Sequence, residues 1–183
     1  MPLRFSLVAA ALLLAGAAAA FGQQKAQPAN SDVPLIMPGR TTNAHLIEFG
    51  KRVGISQTDE VNYMKRWLTN RNKPLSEMGD MASMAGAGMD MSGMAGMAMP
   101  MMPGMLTPQQ MDELRKAKGP AFDRLFLTGM IQHHTGALTM VKDLFDTPNA
   151  GQDPQLFDFT ADVSATQAAE INAMQDMLAQ EKK

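Results

Sequence analysis

Two of the three histidines of this chain, His133 and His134, stand side by side in F-D-R-L-F-L-T-G-M-I-Q-H-H-T-G-A-L-T-M, residues 122–140. Read as a helix, that stretch puts Met130, His133, Ala137 and Met140 on one stripe. Met130 also precedes His134 by one helical turn, so it reaches both imidazoles. Thioether sulfur and imidazole nitrogen suit a soft ion, Cu(I) foremost with Ag(I) as its analogue; Mg or Ca would want carboxylate oxygens. Adjacent helical side chains point about 100° apart, so both rings bind one ion only if it sits between them or a partner helix completes the site.

That partner is the amphipathic stretch after Asp153, which carries Gln167, Glu170, Met174 and Met177. A short turn near Pro148 makes the two helices antiparallel. Counting outward from the turn sets His133 and His134 near Val163–Gln167 and Met130 near Gln167–Glu170, a register good to about one turn. Met174 and Met177 then lie a turn or two farther along, toward Phe126 and Phe122. Gln167 and Glu170 would stand behind the ligands as hydrogen-bonding support. The same residues also fit an ordinary core. Methionine fills helix stripes, and His133 with Gln167 or Glu170 would make a buried polar pair satisfied across the helices.

A second concentration of soft ligands lies in residues 71–105. Met78, Met81, Met84, Met89, Met91, Met94, Met97, Met99, Met101, Met102 and Met105 are separated almost entirely by Gly, Ala, Ser, Asp and Pro. From Met78 to Met105 no branched aliphatic or aromatic residue is present to build a core, so a disordered insert is expected. Its Met-x-x-Met and Met-x-Met spacings let several sulfurs gather round one ion, and flexible glycines keep the steric cost low. His, Cys and dense carboxylate are lacking there, which argues against zinc and hard metals. A drifting linker would explain the composition without function, but it would expose many thioethers to oxidation.

With 183 residues and no cysteine, the chain has neither disulfides nor thiolate chemistry, and soft-ligand chemistry falls to its 19 methionines and its histidines. A formal net charge of −2 points to neither nucleic acid nor an acidic membrane surface as partner. Residues 1–22 read as a signal peptide: Arg4, an apolar run from Leu7 to Ala15, then small residues and a cleavage site near Ala20–Gly22. No other segment has the ~20 apolar residues of a membrane span. The expectation is a periplasmic or secreted protein.

The elements follow from local signals. Residues 23–43 are a polar, Pro-containing lead-in expected to be disordered, and Thr41, Thr42 and Asn43 offer caps for a helix over 44–70. There Leu46, Phe49, Val53, Gln57, Glu60, Met64 and Trp67 step by three or four. Gly50 and Gly54 each weaken it by about 1 kcal/mol, allowing a break near Gly54 with a new cap at Ser56. Thr107, Pro108 and Gln110 form a capping box for a short helix to about Lys118. Gly119-Pro120 stops it, and Pro120 opens the histidine helix, which runs to about Asp146. Thr147–Gly151 is a turn, Asp153 caps, and Pro154 starts a last helix to about Gln180. No stretch alternates with a period of two, so strands are not expected.

Sliding the chain by 110 residues sets 45–68 against 155–178 without gaps. Identities fall at Leu46/Leu156, Phe49/Phe159, Val53/Val163, Gln57/Gln167, Glu60/Glu170, Asn62/Asn172, Met64/Met174 and Leu68/Leu178. Most lie on the predicted buried face, and the polar matches are hard to obtain by chance. Two copies of one helical hairpin are implied, the first without its leading helix and therefore without the histidine pair. The fold expected is an all-α antiparallel bundle of three to four helices, in which the His-His domain over 106–181 packs with the partial repeat at 44–70. Motifs for enzymes are missing: no G-x-S-x-G, no His-Glu-x-x-His, no phosphate-cradling loop and no Glu-x-x-His di-iron set. A non-enzymatic protein is expected.

The histidine stretch, followed by Q-A-A-E-I-N-A-M-Q-D-M-L, resembles the bacterial domain-of-unknown-function family 305. The resemblance covers residues 106–180 and, through the repeat, 45–70. It implies a ferritin-like helical fold, frequent export and, in Met-rich members, periplasmic copper binding linked to copper resistance, with other periplasmic copper-handling proteins as partners. Carried over by resemblance, the metal positions are Met130, His133, His134, Met140 and Met174. The first copy here departs from two-copy members by lacking the His-His helix, so a second equivalent site is not implied. Two readings of the whole chain remain: a Cu(I) or Ag(I) carrier, or a structural or interaction module that buries its histidine pair.

Overall fold

The structure, a computed structural model, describes residues 39–73 and 103–180. The stretch 1–22 read as a signal peptide, the lead-in up to residue 38 and the methionines from Met78 to Met102 lie outside the described residues. Four helices make up the described part: α1 (Ala44–Asn70), α2 (Pro108–Lys116), α3 (Gly119–Asp146) and α4 (Pro154–Gln180), with no strand among them.

Their ends follow the local chemistry. The Asn43 side chain accepts from the Leu46 amide at 3.2 Å and caps α1. At α2, Thr107 Oγ1 takes the Gln110 amide at 3.2 Å while Gln110 Oε1 takes the Thr107 amide at 2.8 Å, a reciprocal capping box. Asp153 Oδ1 accepts from the Leu156 amide at 3.0 Å and starts α4. α3 has no side-chain cap and begins on Gly119-Pro120, whose missing N–H would be unpaired there anyway. The break allowed near Gly54 does not occur: α1 is continuous, with Gly50 and Gly54 turned into the core. Tertiary packing of that face outweighs the propensity cost of the two glycines.

Two apolar clusters give the helices their directions. At one end Leu46, Phe49 and Val53 of α1 pack with Met111 and Leu114 of α2, with Phe122, Phe126, Leu127 and Met130 of α3, and with Met174 of α4. At the other end Met64, Trp67 and Leu68 pack with Leu144 and with Leu156, Phe159 and Val163. So α1 runs parallel to α3 and antiparallel to α4. The predicted antiparallel α3–α4 hairpin is present, and the two repeat copies, α1 and α4, lie against each other head to tail. Tyr63 stacks on Phe159 with centroids 4.6 Å apart, and Arg71 pairs with Asp153, closing the second end.

Between the clusters the buried face changes character. Gln57 and Glu60 on α1, His133 and His134 on α3, and Gln167 and Glu170 on α4 occupy the intervening turns. The site lies in this polar layer.

Candidate metal centre

His134 is completely buried, and its Nε2 lies 2.7 Å from Glu170 Oε2 on the facing helix. In the neutral ring with Nε2–H donating to this carboxylate, Nδ1 is the acceptor nitrogen. Nδ1 is buried and has no hydrogen-bond partner among the described residues. A histidine held through one nitrogen by a carboxylate, with its other nitrogen unengaged, is the arrangement metal-ligating histidines adopt. His133, also buried, sets its ring edge-on to that of His134, with centroids 5.8 Å apart.

The thioethers divide. Met130 on α3, one turn before His134, and Met174 on α4, one turn beyond Glu170, are fully buried in the same apolar cluster. They form the rung directly below the His134–Glu170 pair. Met140 goes elsewhere: it packs with Ala137 and Val141 in a small cluster of their own. The stripe read from sequence is present on α3, but the bundle splits it between two environments. Met177 packs at the margin of the Met130–Met174 cluster.

The cross-helix register differs from the one counted from Pro148 by about a turn. Glu170 meets His134, rather than His133, and Gln167 turns to α1. Its Nε2 donates to Glu60 Oε2 at 3.5 Å. The reason is the connection: Thr147 to Asp153 is a seven-residue excursion with Asn149 and Gly151 at positive φ, longer than a tight turn centred on Pro148. The sequence showed Glu60 on the periodic face of the first helix and as a repeat identity, but gave it no role in the site. The signal that could have placed it in the layer was the conjunction of polar identity and core-facing position at Gln57/Gln167 and Glu60/Glu170.

Glu60 is the electrostatically unusual member. Burial in the layer, and after it the nearby charge of Glu170, push its carboxyl from the ordinary 4.5 up to about 7, against smaller opposing effects of hydrogen bonds from Ser56 and Gln167. Among the described residues, no three His, Asp or Glu side chains converge as a hard-metal cage would require. The donors nearest the free side of the layer are the His134 imidazole and, one turn away, the thioethers of Met130 and Met174.

A strap ties the residues that follow the methionine tract to this turn of α3. Gln132 Nε2 donates to the Met105 carbonyl at 2.8 Å and its Oε1 accepts from Gln110 at 2.9 Å. Gly104, at φ 82°, lies so close that an added Cβ would come within 2.8 Å of both the Gly136 Cα and the His133 carbonyl oxygen. Of the tract methionines proposed from sequence, Met105 alone falls within the described residues, half-buried in this strap.

The family model described as Domain of unknown function (DUF305) matches residues 32–178. The chain belongs to the DUF305 family. Two solved structures share the DUF305 fold. One is a DUF305 protein of Streptomyces coelicolor for which secretion is inferred, 20% identical, with 94% of each chain covered and a TM-score of 0.64. The other is a DUF305 fragment from Deinococcus radiodurans, 19% identical, covering 96% of this chain and 95% of that one, with a TM-score of 0.66. At such identities the likeness concerns the all-α bundle alone. No curated protein matches the chain.

Proposed function

We propose that this DUF305 protein binds a soft monovalent ion, Cu(I) with Ag(I) as analogue, and sequesters or relays it outside the cytoplasm. The observation that carries the reading is His134, wholly buried, with Nε2 on Glu170 and Nδ1 without a partner. Met130 and Met174, buried one turn away on facing helices, supply thioethers of matching softness. His133 supplies a second imidazole, and Met140, from its separate cluster, would join only by a rearrangement of α3. Gln167 and Glu170 orient rather than ligate. The methionines from Met78 to Met105 would capture further ions and pass them on, to this site or to copper-handling partner proteins.

Export is part of the proposal. The N-terminal signal pattern supports it, as does the inferred secretion of the Streptomyces relative, and no helix among the described residues is long and apolar enough to cross a membrane. The reading is of a binding protein rather than an enzyme.

An anaerobic Cu(I) titration against a competing Cu(I) chelator, with melting curves, tests it. The parent should retain Cu(I) and melt higher when loaded, because a ligand that prefers the native state must stabilise it. The His133→Ala, His134→Ala double variant should lose the folded-domain site. Deleting residues 78–102, which leaves the strap in place, should lower stoichiometry and spare that site. A parent that surrenders Cu(I) and Ag(I) to a modest chelator sinks the idea. The 2.7 Å His134–Glu170 contact also favours a second reading, a structural module whose buried pair serves only the core. On that reading the metal leaves the melting temperature unchanged.

A further inference from the structure

The turn of α3 that carries the histidines is not covered alike on all sides. On the α4 side Glu170 closes on His134, and at each end of the bundle an apolar cluster locks the helices together. Another side is covered by residues 103–107 alone of the strap. Gly129, Gln132 and Gly136 share one stripe of α3, and the strap runs along it. An added Cβ at Gly129 would lie 3.1 Å from Leu106 Cδ1, and one at Gly136 would strike the Pro103 carbonyl. Gly104 rests on the Gln132 and His133 carbonyls with no side chain between. His133 projects about 100° round the helix from His134, on the side toward this stripe, so it is the histidine next to the strap.

The strap is held by few groups. Gln132 donates to the Met105 carbonyl and accepts from Gln110, and Gln110 is itself joined to Thr107 by the capping box of α2. One side-chain amide thus ties both the strap and α2 to the middle of α3. Of residues 103–107, Leu106 is buried; Pro103 is exposed, and Gly104 and Met105 are half-buried. A segment that buries so little apolar surface opens at a lower free energy than the bundle unfolds. We propose that residues 103–107 form a gate over the histidine turn, latched by Gln132, whose opening admits small solutes to His133 and then to His134. With the strap in place the two histidines are 6% and 0% exposed, so a ligand ion needs such a route. Only the identity of that ion rests on the Cu(I) reading.

Diethyl pyrocarbonate, which modifies accessible imidazoles, tests the gate on the metal-free full chain, with mass spectrometry of the histidine-bearing peptides. His45 is exposed and serves as the internal standard. In the parent, His133 and His134 should react far more slowly than His45. Gln132→Leu removes both latch bonds and should speed modification of the pair about tenfold or more, with His45 unchanged and the helices intact by circular dichroism. Tyr63→Leu, which loosens the stack on Phe159 at the other end of the bundle, should leave the pair as slow as in the parent. If Gln132→Leu fails to fold, Leu106→Ala takes its place with the same expectation. Fast modification of the pair in the parent, an unchanged rate in Gln132→Leu or its replacement, or an equal rise in Tyr63→Leu overturns the proposal. No metal enters this experiment, so its outcome is separate from whether the parent holds Cu(I).

Discussion

Gly104 and Gly136 cross backbone to backbone: a Cβ on Gly104 would fall 2.8 Å from the Gly136 Cα, and one on Gly136 would run into the Pro103 carbonyl oxygen. Through this crossing, the chain leaving the methionine tract lies against the turn of α3 that carries His133. Gly136→Ala should therefore lower stability by about 1–3 kcal/mol, the usual range for forced overpacking. Denaturant unfolding measures it. Because the neighbours are backbone, which cannot rotate aside, an unchanged midpoint would show that the strap does not dock as described.

Loss of the carboxylate opposite His134 is expected to depend on what replaces it. Glu170→Ala leaves the buried Nε2–H without an acceptor, which should cost about 1–3 kcal/mol. Glu170→Gln keeps an acceptor oxygen and should recover much of that. Equal losses in the two variants would mean that the 2.7 Å contact contributes little.

The pH dependence of folding should carry an inverted carboxylate signature. Glu60 sits at about 7 in the folded chain against 4.5 ordinarily, so the native state binds its proton more tightly than the unfolded state does. Its contribution is fully favourable below about 4.5, falls as pH rises from there to about 7, and leaves a penalty of at most about 3 kcal/mol above. Glu60→Gln should flatten that fall and raise stability at pH 8. Denaturation midpoints at pH 5 and pH 8 decide it; a parent-to-variant difference that is the same at both pH values refutes the assignment.

Methionine roles separate by volume-conserving replacement. Met130→Leu and Met174→Leu keep the packing of their shared cluster and should change stability by less than about 1.5 kcal/mol. Each should still weaken Cu(I) retention, because leucine has no lone pair. Met140→Leu, in a different cluster, should leave retention near the parent value. Chelator competition on the three variants ranks them, and a Met140 effect larger than that at Met174 would relocate the ion.

Much of this protein is written locally in its sequence. The caps at Asn43, Thr107 and Asp153, the stops at Gly119-Pro120 and Thr147-Pro148, and the three-and-four spacing of apolar residues all act within a turn or two of chain. They determined the four helices and the antiparallel pairing of α3 with α4. The 110-residue repeat likewise marked Gln57, Glu60, Gln167 and Glu170 as polar residues on a buried face. What no local signal contains is the offset between helices. The excursion from Thr147 to Asp153 slid α4 by about a turn, which gave Glu170 to His134 and Gln167 to Glu60. The same packing put Met130 with Met174 and parted them from Met140, though all three fit one ligand list in sequence. The backbone crossing of Gly104 with Gly136 lies beyond local reading too, because it depends on two glycines 32 residues apart meeting in space. Residue types determined which chemistry the chain could do; interhelical register decided which of those residues could do it together.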